Sequence, residues 1–311
     1  MDQCLISVII PVFNDPQGLE NSVNSLLRQD YDSNIYEIII INNRSTDKTI
    51  DKIHELKRKN PDIIFSYSED FIQSPAAARN KGIKKCKGIY LAFIDSDMTV
   101  EDQWLRKITK LVINKDYYYT GCRINMYYKS KNIISLYNSI TGFPTEKYLF
   151  GKNYSPTGGL IVKKDLFNKV GFFDNRLITG EDDEFGKRVH KYGIEQHYVS
   201  EIYLNHPADI SFTKSIKRWF RSGIGSMLMY YYYPELYNNL ILVPLNPYNY
   251  FPPNPFKFIR SVDRNKWDKI KPWKKICLYF IQWLVKLVRV IGYTYGLLKQ
   301  NKNKEYENIN N

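Results

Sequence analysis

The sequence predicts an α/β fold: a mostly parallel sheet covered by helices on both sides, with a basic helical extension at the C-terminus. Two patterns carry the sheet. Four β-branched apolar runs of strand length fall within the first hundred residues: "LISVIIPV" (5–12), "YEIIIIN" (36–42), "DIIFSYS" (62–68) and "GIYLAFI" (88–94). Helix-like stretches at about 17–29, 46–59 and 74–86 separate them, the second with Thr46 or Ser45 placed to cap it. Strands apolar on both faces and alternating with helices belong in a parallel sheet buried on both sides. Ligands of such sheets bind beyond the carboxyl ends of the strands. Those ends read "PVFND", "NNRSTD" and "DSD", all polar and brought close together by the predicted fold.

Beyond residue 100 the alternation loosens. "YYYTGCRINMYY" (117–128) reads as a strand and the segment to about 156 as loop-rich. "GGLIVKKDLFNKVGFFD" (158–174) reads as strand, short helix and turn, and "GEDDEFGKRVHKYG" (180–193) as a capped helix closing at Gly193. "IEQHYV" and "IYLNH" make two short strands ending at His206, and a long helix is predicted over about 213–233. The stretch 243–256, "VPLNPYNYFPPNPF", holds five prolines, which argues against regular structure. These boundaries predict a main domain over 1–212 and a helix packing on or extending it over 213–239. A proline-rich linker or arm (240–271) and an amphipathic basic helix with a polar tail (272–311) follow.

The chain of 311 residues is 43% apolar and 15% aromatic, with 26 Tyr, which excludes a disordered chain and suffices for one substantial core plus an appended segment. Cys4, Cys86, Cys122 and Cys277 stand far apart, without a CxxC or a Cys/His cluster, so neither a zinc site nor a disulfide framework is predicted. "MDQCLISVIIPVFN" lacks the basic flank and long apolar core of a signal peptide, which places the chain in a reducing cytoplasm.

The net charge is +13, and residues 257–304 alone carry thirteen Lys/Arg against Asp263 and Asp268, or +11. Such an excess suits an anionic membrane surface, a nucleic acid or an acidic polymer. Over 272–299, Lys275, Gln282, Lys286 and Arg289 fall on one helical stripe, with Ile276, Ile281, Leu284, Val285, Val288 and Ile291 around the rest. The longest uncharged run is about ten residues, shorter than a bilayer span requires. Two outcomes stay open for this helix. One is an in-plane anchor on an anionic membrane, with Trp273 and Trp283 near the interface. The other is packing on its own domain or on a second subunit in a homo-oligomer.

Two acidic clusters carry the chemistry. "FIDSD" sets Asp95 and Asp97 behind a strand, where hard carboxylate oxygens suit Mg²⁺ or Mn²⁺ shared with a phosphate substrate. The same residues also make an ordinary turn, with Asp97 capping the helix that follows. "GEDDE" sets Glu181, Asp182, Asp183 and Glu184 at a helix N-terminus, where they complement the helix dipole. Like charges so close raise one another's pKa, which poises one of them as a general base.

Six pieces stand in a familiar order: "VIIPVFN", "INNRSTDKT", "AAARNKG", "FIDSD", "GGLIVKKDLFNKVGFFDNRL" and "GEDDEFGKRVHKYG". Together, over about residues 5–210, the chain resembles a family 2 glycosyltransferase with a GT-A (Rossmann-like) fold, inverting and nucleotide-sugar dependent. The resemblance implies a nucleotide-diphospho-sugar site. Pro11, Phe13 and Asn14 would line the nucleotide pocket. Asn43 stands where relatives often carry an Asp that reads the base, and Arg44 where Gly or Asn is more usual; a UDP-sugar is favoured with the base left open. Asp47 is a structural cap. Arg79 and Asn80 would approach the nucleotide or diphosphate, Asp95 the ribose or a metal-bound water, and Asp97 the Mn²⁺ or Mg²⁺ itself. His206 stands where relatives place a metal or phosphate ligand. Gly158 and Gly159 would let donor sugar or acceptor approach the backbone, and Arg188, on the donor/acceptor side, would pair with Glu184. Asp182 is the implied base and Glu181 orients acceptor or donor.

The function so implied is transfer of a sugar, with inversion, from a nucleotide-diphosphate donor to a hydroxyl of a glycan or lipid-linked acceptor. Its setting would be cell-surface polysaccharide synthesis in the cytoplasm or at the inner face of the plasma membrane. A nucleotide-binding scaffold without catalysis is disfavoured by intact Asp95, Asp97, Glu181 and Asp182. A nucleic-acid-binding protein rests on the charge alone, with no recognition motif, so no nucleic-acid partner is predicted. A sugar-phosphate nucleotidyltransferase would need a Gly-rich basic phosphate loop after the first strand, and "PVFNDPQG" is not one.

Overall fold

A computed structural model describes residues 5–128, 130, 132–208, 210–237 and 244–309, with side chains to residue 300. Cys4 lies outside them, as do residues 238–243 at the predicted join between helix and arm. The chain divides into two compact units. The first comprises residues 1–127, 143–175 and 181–207; the second comprises 128–142, 176–180 and 208–311.

In the first unit β1 (Ile6–Val12), α1 (Pro16–Leu27), β2 (Tyr36–Asn42), α2 (Thr49–Lys59), β3 (Ile64–Ser68), α3 (Pro75–Lys85) and β4 (Tyr90–Phe93) alternate as the sequence predicts. After them come β5 (Thr99–Val100), α4 (Trp104–Leu111) and β6 (Tyr119–Tyr127). The segment to 156, expected to be loop-rich, instead holds α5 (Ile133–Thr141), which belongs to the second unit, and α6 (Thr145–Lys152). A capping hydrogen bond from the Ile134 N–H to Asn132 Oδ1 (2.7 Å) starts α5, a local signal that the composition around it obscured. Next are β7 (Leu160–Lys163), α7 (Leu166–Val170), α8 (Glu181–Lys191) and β8 (Gln196–Pro207). The two short strands expected before His206 are thus one strand, whose pairing with β6 shifts register at Cys122/Arg123.

The eight strands form one sheet in the order β3-β2-β1-β4-β7-β6-β8-β5. β3, β2, β1 and β4 run parallel, and β7 joins β4 antiparallel. Ile6, Val8, Ile9 and Ile10 of β1 and Ile38 to Ile41 of β2 are all fully buried, as strands covered on both faces must be. The polar interruptions are paired. Ser7 donates to Glu37 (2.6 Å) and accepts the Gly88 N–H (2.8 Å), which fixes the entry to β4. At Gly88 a Cβ would lie 2.5 Å from the Ser7 nitrogen, so only glycine fits.

One cap differs from expectation. Neither Thr46 nor Ser45 caps α2, since both bond Asn14; the N-cap is Lys48, without a side-chain cap bond, and Asp47 accepts the Thr49 N–H (2.9 Å) in the turn that leads into the helix.

The second unit adds α9 (Phe212–Tyr232), α10 (Pro234–Tyr237), α11 (Pro255–Ser261), α12 (Arg264–Trp267) and α13 (Pro272–Ile309) to α5. Residues 255–267 are therefore not a bare linker. Asn254 and Asp263 cap α11 and α12, and Phe258, Val262 and Trp267 are buried with Trp219, Leu278 and Val285 in a separate core. α9 and α13 meet backbone to backbone. A Cβ on Gly223 would lie 2.1 Å from the Arg289 carbonyl oxygen, and one on Gly292 would lie 2.2 Å from that of Phe220.

The polar stripe of α13 is partly engaged within its own unit, while Arg289 at its end stays exposed. Gln282 accepts from Tyr137 Oη, and Lys286 donates to the carbonyls of Tyr248 and Phe251. Within the 29 residues of Pro272–Gln300 an 18-residue window reaches a mean hydropathy of 1.5, so by length and composition the helix is long and apolar enough to cross a membrane, which corrects the estimate from uncharged run length. The isolated Lys286 and Arg289 break the run without lowering the average much.

Candidate active site

All the acidic residues singled out by the sequence lie in the first unit, at the carboxyl side of its parallel strands. The turn after β4 is held from β1. Asp15 caps α1 by accepting the Gly18 N–H (3.0 Å), and its other oxygen accepts the Ser96 hydroxyl (3.0 Å). Pinning Ser96 orients the aspartates on either side of it. Asp15 was not among the predicted site residues, although "NDPQG" has the form of a helix start and would have signalled it.

Asp95 turns to Arg79, whose Nη2 donates to its Oδ1 at 2.8 Å. The Nη1 of the same guanidinium donates to Glu181 Oε1 at 2.7 Å. Arg79 is 4% exposed and joins the two acidic clusters, which lie 86 residues apart in the chain (181 minus 95). Burial disfavours its charge, but Asp95 and Glu181 more than restore it, so the guanidinium is held above its ordinary pKa. Its Nε is buried without a partner.

Asp97 points elsewhere. Its Oδ1 lies 3.6 Å from His206 Nε2 at the end of β8. The other ring nitrogen, Nδ1, lies 2.8 Å from the Pro207 carbonyl, which can only accept, so Nδ1 carries the proton. In the neutral ring this leaves a lone pair on Nε2 facing Asp97, the tautomer of a metal-binding histidine. Burial lifts the Asp97 carboxyl above its usual range; His206 opposes the rise, while Asp95 and Asp15 add to it. Among the described residues no group of three or more His, Cys, Asp or Glu is disposed to hold a metal by itself. Asp97 and His206 form a two-donor O/N set, which fits a cation such as Mn²⁺ completing its coordination with phosphate and water.

α8 brings in the second cluster. Gly186 lets the helix press on Tyr154, where a Cβ would lie 2.3 Å from the Tyr154 Cβ. Glu184 is buried and paired to Arg188 through both oxygens (2.7 Å each), the pairing the resemblance implied. Arg188 also donates to the carbonyls of Val170 and Phe172, and Asn80 exchanges two hydrogen bonds with the Phe173 backbone (2.8 and 3.1 Å). The side-chain bonds of both residues thus fasten the loop after α7. Asp183 pairs with Lys187 at 2.9 Å. Asp182 is set apart by having no cation paired to it among the described residues: its Oδ1 accepts the Asp183 N–H (2.9 Å), and Oδ2 takes no hydrogen bond from them, whereas one oxygen of Glu181 is held by Arg79. Burial and the neighbouring Glu181 push the Asp182 carboxyl up to about 7, against the pull of Arg79.

The remaining predicted residues surround this centre. Asn14, at φ 51°, clasps Thr46 through its side chain; Phe13 is exposed beside it and Pro11 is partly buried at the end of β1. Asn43 is buried, and its Oδ1 has no partner. Gly158 lies against Asp95, with a Cβ there only 2.8 Å from Asp95 Oδ2, whereas Gly159 packs on Ile124.

Comparison with known proteins agrees with this geometry. Residues 7–171 match the family described as glycosyl transferase family 2. The glycosyltransferase AglE of Haloferax volcanii is 30% identical over 225 residues, covering 71% of this chain and 73% of its own. A solved mannosyltransferase from Pyrobaculum calidifontis, PcManGT in complex with GDP-Man and Mn²⁺, superposes with a TM-score of 0.62 at 14% identity, covering 96% of this chain and 88% of its own. Residues 1–349 of Staphylococcus aureus TarS, in complex with UDP-GlcNAc, superpose with a TM-score of 0.56 at 15% identity, covering 96% and 92%. TarS is a poly(ribitol-phosphate) beta-N-acetylglucosaminyltransferase. The sheet is thus that of a GT-A glycosyltransferase, and the chain belongs to glycosyl transferase family 2.

Proposed function

We propose that the protein is an inverting glycosyltransferase. It moves a sugar from a nucleoside-diphosphate donor to a hydroxyl of a glycan or lipid-linked acceptor in cell-surface polysaccharide synthesis, working from the cytoplasmic side. The observation that carries this reading is the Arg79 bridge. It engages Asp95 and Glu181 and leaves Asp182, poised near pH 7, as the carboxylate to which no cation among the described residues is paired.

In this mechanism Asp182 takes the proton of the acceptor hydroxyl. The freed oxygen forms its bond to the anomeric carbon from the face opposite the diphosphate. The bond from that carbon to the diphosphate oxygen breaks, with inversion. Glu181, held by Arg79, orients the reactants. Asp97 and His206 would hold Mn²⁺ or Mg²⁺, which supplies positive charge to the departing diphosphate. The unpartnered Arg79 Nε is a further donor on that side. The buried, unpartnered Asn43 Oδ1 suits an N–H on the edge of a base, such as that of uracil, which supports a UDP-sugar donor. The likeness to TarS, a poly(ribitol-phosphate) beta-N-acetylglucosaminyltransferase, supports a polymeric acceptor.

Thermal stabilisation by UDP, GDP, dTDP and CDP, each with and without Mn²⁺, tests the reading. One nucleotide, UDP foremost, should raise the melting temperature only with metal, and Asp97→Ala should abolish the rise. Equal indifference to all eight conditions would overturn the metal-assisted donor site.

A further inference from the structure

We infer that the second unit docks in the plane of an anionic lipid bilayer, through the outer face of α13 together with the aromatic arm that precedes α11. The two surfaces are built as one. Lys286 Nζ bonds the carbonyls of Tyr248 and Phe251, Trp283 Nε1 bonds that of Tyr250 (2.9 Å), and Tyr279 Oη bonds that of Pro253 (2.6 Å). Three side chains of α13, Tyr279, Trp283 and Lys286, thus hold the arm's backbone. The arm's side chains are left outside, with Leu245 and Tyr248 each 77% exposed and Phe251 63%, and Phe256 at the start of α11 is 74% exposed beside them in sequence.

On α13 itself Trp273, Ile276, Phe280, Ile291, Tyr295 and Leu298 are each more than half exposed. At the helical angle of about 100° per residue they fall within one arc of roughly 100°. So large an apolar face is costly to leave in water.

Charge decides what covers it. Residues 257–304 carry a net +11. Lys257 follows Phe256, Lys271 and Lys274 flank Trp273, and Lys299 follows Leu298, so long basic side chains stand beside the apolar ones and can reach lipid headgroups. A second copy of the same face would bring two such charges together. An anionic bilayer neutralises them. The mixture of Trp, Tyr and Phe with Lys and Arg is that of a helix lying at the interface.

The orientation follows from α9. Gly223 and Gly292 bring α9 and α13 into backbone contact, and α9 carries Lys214, Lys217, Arg218 and Arg221. A transverse α13 would break that contact if it crossed alone, and in either case would draw Lys286 and Arg289, at the middle of the helix, into the hydrocarbon core. It therefore lies flat.

Flotation of the full chain with phosphatidylcholine vesicles, with and without phosphatidylglycerol, tests this independently of any transferase activity. The chain should float with phosphatidylglycerol vesicles at low salt, and release as salt rises. The Trp emission should shift to the blue on binding. The triple variant Ile276→Glu, Phe280→Glu, Ile291→Glu should lose roughly tenfold or more of the bound fraction. Its melting temperature should stay unchanged, because all three side chains are exposed. The inference is overturned by absence of flotation with phosphatidylglycerol at low salt, or by equal flotation of the variant. It is overturned equally by a dimer in solution that the triple substitution dissociates. Metal-dependent nucleotide binding, measured on the same sample, reports separately on the glycosyltransferase reading.

Discussion

Arg79 is buried between two carboxylates and sets what each acid in the site can do. Glu181 is tied down by it through one oxygen, and Asp182 has no cation among the described residues paired to it. Asp182→Asn is expected to lower kcat by about 10²–10⁴-fold, the range for loss of a general base, while metal-dependent nucleotide binding persists. Near-normal turnover in that variant, with activity abolished by Glu181→Gln, would reverse the two roles.

The pH dependence follows from the same group. A base must be ionised, so kcat/KM should rise with pH through about 7 and lose that rise in Asp182→Asn. Stability runs the other way. The folded state raises the Asp182 pKa above its unfolded value, so the group's stabilising contribution is complete below the ordinary carboxylate range and is lost as pH climbs through about 7. Asp182→Asn should therefore melt higher than the parent at pH 8 and no higher at pH 4, a comparison that thermal denaturation at the two pH values makes directly.

At the scale of elements, short side chains decide how closely pieces approach. Gly88 admits the backbone beside Ser7, Gly186 seats the acidic end of α8 against Tyr154, and Gly223 and Gly292 join α9 to α13. Gly223→Ala would place a methyl group 2.1 Å from the Arg289 carbonyl oxygen, backbone that cannot swing aside. A destabilisation of about 1–3 kcal/mol is expected, as for other overpacked interiors, read as a lower denaturation midpoint. Gly193→Ala is the control of a different kind. Nothing lies within 4 Å of the added methyl group, so any cost there comes from its φ of 71° alone.

Taken whole, the molecule couples a sheet whose strand ends gather a site to a helical unit with its own apolar core. Ligand binding to the folded state alone stabilises by mass action, by about 2.7 kcal/mol at a ligand concentration one hundred times Kd. The melting temperature should therefore keep climbing with the concentration of the preferred nucleotide at fixed Mn²⁺. A plateau at one equivalent would mean that the nucleotide is not in a simple binding equilibrium with this site.

The strand–helix alternation to residue 93, with its mostly parallel sheet, and the two acidic clusters were legible in the sequence because each rests on local pattern, whereas the GT-A fold was implied by the resemblance of six motifs in order. β-branched runs such as "YEIIIIN" must be buried on both faces, and an acidic helix start such as "GEDDE" declares itself. Helices α5 and α6 were hidden within what read as loop, and β8 was split in two, because the register shift opposite Cys122/Arg123 breaks its pattern. Other facts depend on residues far apart in the chain. Arg79 reaches Glu181 across 102 positions, and Ser96 reaches Asp15 across 81. The partner of an ion pair is chosen by the strand order of the sheet, which composition does not carry. The outward face of α13 was settled in the same way. Periodicity marked a polar stripe, but only the fold shows that Gln282 bonds Tyr137, that Lys286 bonds the carbonyls of the arm, and that Trp273, Ile276 and Phe280 are left exposed.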